Sequence, residues 1–398
     1  MDFEDIVIGS GLAALGAAIG LEGSSSVLVL GGPAQGQFSH YDGRATVPSS
    51  YLGDGGLGND WHGVIPTGWC NAYDPRDDEA YAALFRRFYP RTDPRPRLGR
   101  PWLFVPWRPI RPRLEFARLQ QERAGKLTLA PELVLSFRAS RAGVAVTTAM
   151  TTHRARRLWI AAGALHTPGL LERSLGQGIA RGLVSDHVGC YVGQADGLQA
   201  PAIHRNRDGA FFQAWQGACA DALYTLRPAR FAYRTLDHGI EQRAVFGLPT
   251  GSAIAKISKR MSPGLLAEAF YNRFGLFPGA PRHSVYAQVL VRDAYAVGAA
   301  QTALIAKDGA IRAATDAARA HAPFAGVRVS QRPELTIPGI HLHHSVDLQS
   351  LAHAGVGDAD FPVQVVDASV LSEIGPEHHS FKMMLGAVAR AQRAVGLA

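Results

Sequence analysis

The first thirty residues constrain the fold more than any other part of the chain. An apolar strand ends at Ile8 and runs into the turn Gly9-x-Gly11-x-x-Ala14, which opens an alanine-rich helix. After a serine-rich break, the run Val27–Leu30 is apolar throughout, as in strands that are buried on both faces of a parallel sheet. The pattern predicts a βαβ unit and therefore an α/β, doubly wound, Rossmann-like domain.

The glycines of this turn have a mechanical reason to be there. The first permits a sharp bend, the second lets the backbone approach a pyrophosphate, and the small third residue lets helix and strand pack closely. Free N–H groups at the helix start then bind phosphate. The predicted dinucleotide-binding residues are Gly9, Gly11, Leu12, Ala13 and Ala14. An acidic residue that binds the ribose is expected at the end of the second strand, but Gly31 stands there, which weakens the predicted ribose recognition.

The composition excludes several classes of protein. With 398 residues, 47% hydrophobic and 19% charged, the chain has the size and balance of a globular protein with two or three domains. The net charge of +8 would suit nucleic acid, but the cations are nearly all arginines spread along the chain, so we predict no nucleic-acid partner. Three distant cysteines form neither a disulfide framework nor a zinc spacing. The acidic start and the lack of a run of about 18 apolar residues favour a cytoplasmic protein without a membrane span.

The middle of the chain gives a coarser prediction. Residues 31–68 are rich in Gly, Ser, Asp and Pro, which predicts a long irregular segment. Helices are expected near 79–89, 114–124 and 309–321, and strands between 126 and 160 and at 231–233 and 285–291. We predict three parts: the first part of a cofactor domain (1–190), a smaller α+β substrate domain (191–335), and a C-terminal return to the cofactor domain (336–398).

Five histidines lie in two groups around a strand near the C-terminus. His341, His343 and His344 precede the apolar run that delivers Asp367 into a turn, and His378-His379 begins eleven residues after that aspartate. A neutral imidazole, with an unperturbed pKa of about 6.5, accepts a proton near neutral pH. The groups therefore predict a site. A metal site remains an alternative because His341 and His343 would share one strand face. Only Glu377 offers a carboxylate at ligand spacing, so we predict no metal; purely structural histidines are the second alternative.

Three further motifs carry a resemblance to a known family. The run Ile160–Leu171 contains an alanine-glycine-alanine turn around Gly163, a Thr-Pro and a leucine pair, and Asp186-His187 follows it. This order resembles the second signature of the glucose–methanol–choline (GMC) flavoprotein oxidoreductases. Val366–Leu371, with Asp367 and Ala368, is similar to that family's flavin-binding strand and turn. The loop Gly58–Gly63, with Asn59 and Trp61, resembles its glycine-rich loop beside the flavin.

The resemblance implies FAD as the cofactor and oxidation of an alcohol, with hydride transfer to the flavin. The substrate would be a small or medium polar molecule such as a sugar or natural-product alcohol, and the electron acceptor is unknown. Two residues would face the flavin: His344, and either His378 or His379. Spacing from Asp367 favours His378, whereas spacing to the following helix favours His379.

The chain also departs from the family pattern. It is short for the family, Asp347-Leu348-Gln349 replaces a Gly-Thr-Cys stretch, and the acid is missing at Gly31. These departures leave open a second function, namely a GMC-like protein that binds a ligand or partner without redox turnover.

Overall fold

The structure is a computed structural model that describes most of the chain. The described residues are 2–32, 35–41, 45–52, 55–61, 63–67, 78–98, 100–176, 178–199, 201–228, 282–298, 304–329, 336–339, 341–358 and 360–397. Two sequence predictions, the strand at 231–233 and the part of the glycine-rich loop at His62, lie outside them.

Seven α-helices are described. In chain order they are α1 (Leu12–Gly20), α2 (Asp78–Phe88), α3 (Pro112–Glu122), α4 (Thr167–Leu175), α5 (Asp308–Ala320), α6 (Leu348–His353) and α7 (Ser380–Ala394). Short 3₁₀ turns lie at Gly56–Asp60, Arg95–Arg97 and Ala368–Val370.

The described strands form four sheets. In chain order they are β1 (Phe3–Ile8), β2 (Val27–Leu30), β3 (Gln35–Tyr41), β4 (Ala45–Leu52), β5 (Ile65–Pro66), β6 (Trp102–Pro106), β7 (Leu127–Ala130), β8 (Val134–Ser140), β9 (Gly143–Thr148), β10 (Thr152–Ile160), β11 (Leu183–Asp196), β12 (Ile203–Arg205), β13 (Gly209–Gln213), β14 (Trp215–Gln216), β15 (Ala222–Pro228), β16 (Arg282–Val297), β17 (Leu304–Ala306), β18 (Arg328–Val329), β19 (Thr336–Pro338) and β20 (Val363–Val365).

The first sheet has a parallel centre. Strands β7, β2, β1 and β10 are neighbours in that order and all pair in parallel, and β20 joins β10 in parallel on its far side. The early part of β10 pairs instead with β9, which continues antiparallel to β8. Because β1, β10 and β20 are parallel neighbours, the segments that follow their carboxyl ends meet at one edge of the sheet.

Both faces of this sheet are covered, which explains its continuously apolar strands. Along β1, Val7 packs into the core beneath α1 and α7, whereas Ile6 and Ile8 pack into the core beneath α4 and α6. Helices α1 and α7 approach closely because α1 carries glycines on the shared side. A Cβ atom at Gly16 would lie 2.4 Å from the Met384 carbonyl oxygen, closer than packed atoms can come. The predicted α/β, doubly wound class is therefore confirmed.

The second large sheet is antiparallel. Its main order is β14-β15-β16-β11-β18, with β17 on β16 and β19 on β11, and α5 packs against it over a separate apolar core. The long strand β11 begins at Leu183 and ends at Asp196, so residue 190, where we placed the end of the first part, falls inside a strand. The division into domains stays a prediction.

The helix predictions agree with the structure to within a few residues, but one segment differs from its prediction. Residues 31–68 contain the hairpin β3–β4 and the short strand β5, where an irregular segment was expected. Among the described residues, no helix combines the length and apolar character needed to cross a membrane.

Candidate active site

The predicted dinucleotide turn leaves β1 and opens α1 as expected. Gly9 has φ of +113°, and a Cβ atom there would lie 2.2 Å from the Ala161 carbonyl oxygen. Only glycine fits this position, because it must adopt a positive φ and lie against the backbone that follows β10. The turn is thus held against the next parallel strand, at the shared edge of the sheet.

The first turn of α1 is open toward a ligand. Gly11 is the N-cap residue, no side chain caps the helix, and its first turn carries no acidic residue. Among the described residues beyond its chain neighbours, the atom nearest to a Cβ atom at Gly11 would be the Gly55 carbonyl oxygen, 4.0 Å away. The first N–H group bonded within the helix is that of Leu15, which donates to the Gly11 carbonyl oxygen at 2.9 Å. The N–H groups of Leu12, Ala13 and Ala14 precede it, so they are the groups that bind an anion at a helix start. These residues fit a pyrophosphate.

The loop 55–61 lies over this helix start. Gly55 N donates to Ser10 Oγ at 3.0 Å, and a Cβ atom at Gly58 would lie 3.2 Å from Leu12 Cγ. Asn59 follows in the same 3₁₀ turn, and Trp61 is buried, with its carbonyl oxygen accepting from Arg111 Nη1 at 2.6 Å. The structure thus brings the predicted residues Asn59 and Trp61 next to the predicted dinucleotide turn.

The end of β2 offers no carboxylate, as the sequence indicated. Gly31 N donates to the Ala130 carbonyl oxygen at 3.0 Å, which keeps this residue in line with β7. A Cβ atom at Gly31 would lie 3.2 Å from both Cβ and Oγ of Ser10. A side chain at position 31 would therefore be in tight contact with the side chain of Ser10.

Asp367 joins the turns that follow β20 and β10. Its Oδ2 accepts from Gly163 N at 2.8 Å and from Thr167 Oγ1 at 2.6 Å, and its Oδ1 accepts from Ser369 N at 2.9 Å. The carboxylate is buried and its hydrogen bonds go to the protein. Asp367 therefore positions the backbone around Gly163 and Ala368, and these two predicted residues lie at the same sheet edge as Gly9.

Five histidines come together beside these turns. We call them the histidine cluster: His187, His341, His343, His378 and His379. Within it, His378 Nδ1 lies 3.3 Å from His341 Nε2, and their ring centroids are 4.8 Å apart. The rings of His187, His343 and His379 are 5.3–5.4 Å apart, centroid to centroid.

One buried carboxylate connects two members of the cluster. Asp186, in β11, accepts through Oδ1 from His187 N at 2.8 Å and from His341 N at 2.7 Å. The segment after β19 also pairs with β11 through mutual backbone hydrogen bonds of 3.0 Å between His343 and Ser185. These contacts fix the 341–343 segment to the long strand and direct its histidines toward the start of α7.

His344 points elsewhere. Its φ of +54° is left-handed, and Arg181 Nη1 lies 3.0 Å from its Nδ1 and donates to its carbonyl oxygen at 2.8 Å. Arg181 also forms an ion pair with Asp293 at 2.9 Å. The predicted residue His344 is thus part of an arginine-centred contact, and the ring that meets His378 belongs to His341 instead.

Three rings of the cluster, those of His187, His343 and His379, favour the neutral form at neutral pH. Burial lowers the pKa of His187, and burial together with neighbouring imidazoles lowers the pKa of His343 to about 3 and that of His379 well below its usual value. Sequence reasoning singled out His378 and His379 but gave no flavin-facing role to His187, His341 or His343. The alternating pair His341 and His343 was the available signal, and His187 is linked to them only through folding.

Comparisons with known proteins agree with this fold. No protein-family model and no curated protein matches the chain by sequence. Among solved structures, the pyridoxine 4-oxidase of Mesorbium loti matches with a TM-score of 0.52 and 13% identity, over 98% of this chain and 99% of that one. A formate oxidase of Aspergillus oryzae RIB40, solved in work on FAD modification, matches with a TM-score of 0.47 and 11% identity, over 99% of this chain and 97% of that one. The match to the pyridoxine 4-oxidase confirms the fold expected from the GMC resemblance.

Proposed function

We propose that the protein is an FAD-dependent oxidoreductase that oxidises a hydroxyl group of a small or medium polar molecule, such as a sugar or natural-product alcohol. One observation carries the proposal. The open helix start after β1, the Gly163 turn after β10 and the Asp367 turn after β20 follow the carboxyl ends of three neighbouring parallel strands. Ligands of doubly wound sheets bind at this edge.

The residues at this edge fit the dinucleotide. The N–H groups of Leu12, Ala13 and Ala14, with Gly9 and Gly11, would hold the pyrophosphate. Asn59, Trp61, Gly163, Asp367 and Ala368 would surround the rest of the cofactor. Bound FAD supplies the acceptor for the hydride that leaves the substrate carbon. Two tasks of alcohol oxidation are left to protein side chains: they orient the hydroxyl group and accept its proton.

We assign those two tasks to His341 and His378. The imidazole pair is supported by the 3.3 Å approach of His378 Nδ1 to His341 Nε2. His378 is half-buried and can meet a substrate, whereas His379 is almost fully buried against His187 and His343. We therefore give His378 the role of base and His341 the role of holding the substrate oxygen, with neither role given to His344.

The proposal is tested by the colour and the reactivity of the purified protein. We expect a yellow protein whose released chromophore has the mass of FAD, and whose flavin loses its visible absorbance anaerobically with at least one compound in a panel of sugars and other polar alcohols. A protein that neither retains FAD on purification nor takes it up when FAD is added would contradict the proposal. A protein that retains FAD but is reduced by none of the panel would support the ligand-binding alternative.

A further inference from the structure

Three imidazoles of the histidine cluster form a group of their own. His187 comes from β11, His343 from the segment after β19, and His379 from the residue before α7. Each offers one ring nitrogen, and these three nitrogens lie within 4.8 Å of one another. The three residues are only 0%, 1% and 5% exposed, respectively. Polar atoms this deeply buried cost free energy unless something binds them.

Two backbone carbonyl groups fix the tautomers of this group. A carbonyl oxygen only accepts hydrogen bonds, so the ring nitrogen beside it must carry the proton. His187 Nε2 donates to the Gly375 carbonyl oxygen at 2.8 Å, and His343 Nδ1 donates to the His341 carbonyl oxygen at 2.8 Å. Because both rings are neutral, His187 Nδ1 and His343 Nε2 keep their lone pairs. Metal-binding histidines usually have this arrangement, with the far N–H bound to a carbonyl or carboxylate.

Two ring nitrogens of this group have no partner in the described part of the chain. His187 Nδ1 and His379 Nδ1 are buried and have no hydrogen-bond partner among the described residues. Buried polar atoms in folded proteins nearly always have one. A water molecule could donate to two lone pairs but not to three, whereas one cation can bind a nitrogen from each ring.

We infer that His187, His343 and His379 bind one divalent transition-metal ion of the kind that imidazole favours, with zinc as the probe of choice. Three histidines leave the fourth position of a tetrahedral ion open. Zinc–nitrogen bonds of about 2.0–2.1 Å place tetrahedral ligands about 3.4 Å apart, so the rings must close in on the ion. The inference departs from the sequence-based expectation of no metal.

A nearby carboxylate supplies negative charge. Glu377 is buried, and it acts electrostatically on His187. Its Oε1 forms an ion pair with Lys382 Nζ at 3.0 Å, while its Oε2 has no hydrogen-bond partner among the described residues. An ion bound by three neutral imidazoles keeps its full charge, and a carboxylate close by partly compensates it.

Zinc binding itself tests the inference. The purified protein is treated with EDTA, dialysed to equilibrium against a series of buffered zinc concentrations, and its bound zinc is measured by mass spectrometry. We expect one zinc ion per chain. His187→Gln, His343→Gln and His379→Gln should each lower the affinity at least about 100-fold, since loss of a second-shell partner alone costs about 10–100-fold. His378→Gln changes the neighbouring cluster residue and should bind zinc like the parent.

Thermal unfolding of the same samples separates metal loss from misfolding. Zinc should raise the unfolding temperature of the parent, and EDTA should reverse the rise; the folded glutamine variants should show no rise. Failure of the parent to bind one zinc ion would overturn the inference. Zinc affinities of the three glutamine variants equal to that of the parent would overturn it too. The metal site rests on the imidazoles and the proposed function rests on the flavin, so flavin content is measured in the same samples. A protein that binds zinc but no flavin would count against the proposed function alone. A protein that binds flavin but no zinc would count against the metal site alone.

Discussion

His378 Nδ1 lies 3.3 Å from His341 Nε2, and the two rings meet edge to face at 64°. The residues are 37 positions apart in the chain. His341 is fixed by the buried carboxylate of Asp186, and His378 lies just before α7. Their approach makes them the imidazole pair on which the proposed alcohol oxidation depends.

Removal of either imidazole should slow the chemistry and leave the flavin in place. We expect His378→Ala and His341→Ala to reduce the rate of anaerobic flavin reduction by about 10²–10⁴-fold, the usual contribution of a positioned base. Neither residue belongs to the α1 helix start, so flavin content should be unchanged. Stopped-flow measurement of flavin absorbance with a substrate found in the alcohol panel gives the rates.

His344 provides the matched control for this pair. It is three residues from His341 but contacts Arg181, and its left-handed φ of +54° costs a non-glycine residue about 1 kcal/mol. His344→Gly relieves that strain and should reduce flavin at a rate within a few-fold of the parent. If His344→Gly lost activity while His341→Ala kept it, the pair would have to be assigned to His344 after all.

These histidines show which features could be predicted from the sequence and which could not. The glycine turn and the apolar strand Val27–Leu30 were predictable because their signals are local: one backbone geometry and continuous burial. Which of His341, His343 and His344 faces the site was not predictable. That choice depends on a reversed φ at His344 and on hydrogen bonds to Asp186, 155 residues earlier. The hairpin β3–β4 was missed because Gly, Ser and Pro give a weak strand signal.

The two glycines of the dinucleotide turn should respond differently to alanine. In Gly9→Ala, the new Cβ atom would lie 2.2 Å from the Ala161 carbonyl oxygen at a positive φ, so we expect a loss of unfolding free energy on the order of 3 kcal/mol. In Gly11→Ala, the nearest atom among the described residues beyond the chain neighbours is the Gly55 carbonyl oxygen at 4.0 Å, so the fold should be retained. Urea unfolding measures the stability of each variant, and flavin titration of the refolded proteins measures its flavin binding separately. Equal stability losses would mean that the backbone contact at Gly9 relaxes without cost.

The missing ribose-binding acid can be restored at Gly31. Gly31→Glu alone must displace Ser10, whose Cβ and Oγ would lie 3.2 Å from the new Cβ atom. Combined with Ser10→Gly, it should lower the FAD dissociation constant about tenfold relative to the parent. A hydrogen bond to a charged group contributes about 1.5–3 kcal/mol, and part of this gain is lost because Ser10→Gly removes the contact of Ser10 to Gly55. Gly31→Ala with Ser10→Gly is the control without the carboxylate. Equal FAD dissociation constants for the two double variants would show that the ribose does not reach this strand end.

Asp367 should be sensitive even to a substitution that keeps its shape, because its carboxylate holds the turns at the sheet edge together. Asp367→Asn keeps the shape but replaces one carboxylate oxygen by an NH₂ group, which then faces a donor: Gly163 N, Thr167 Oγ1 or Ser369 N. We expect a loss of about 2–3 kcal/mol in the free energy of unfolding, because a charged acceptor is removed and a buried donor is left without a partner.

Thr167→Val removes a single hydrogen bond and should cost about 1 kcal/mol. Since both changes affect the 2.6 Å contact to Oδ2, the double variant should lose less than the sum of the two. Urea unfolding of the four proteins gives this coupling, and additive losses would show that Asp367 does not hold the turn through Thr167.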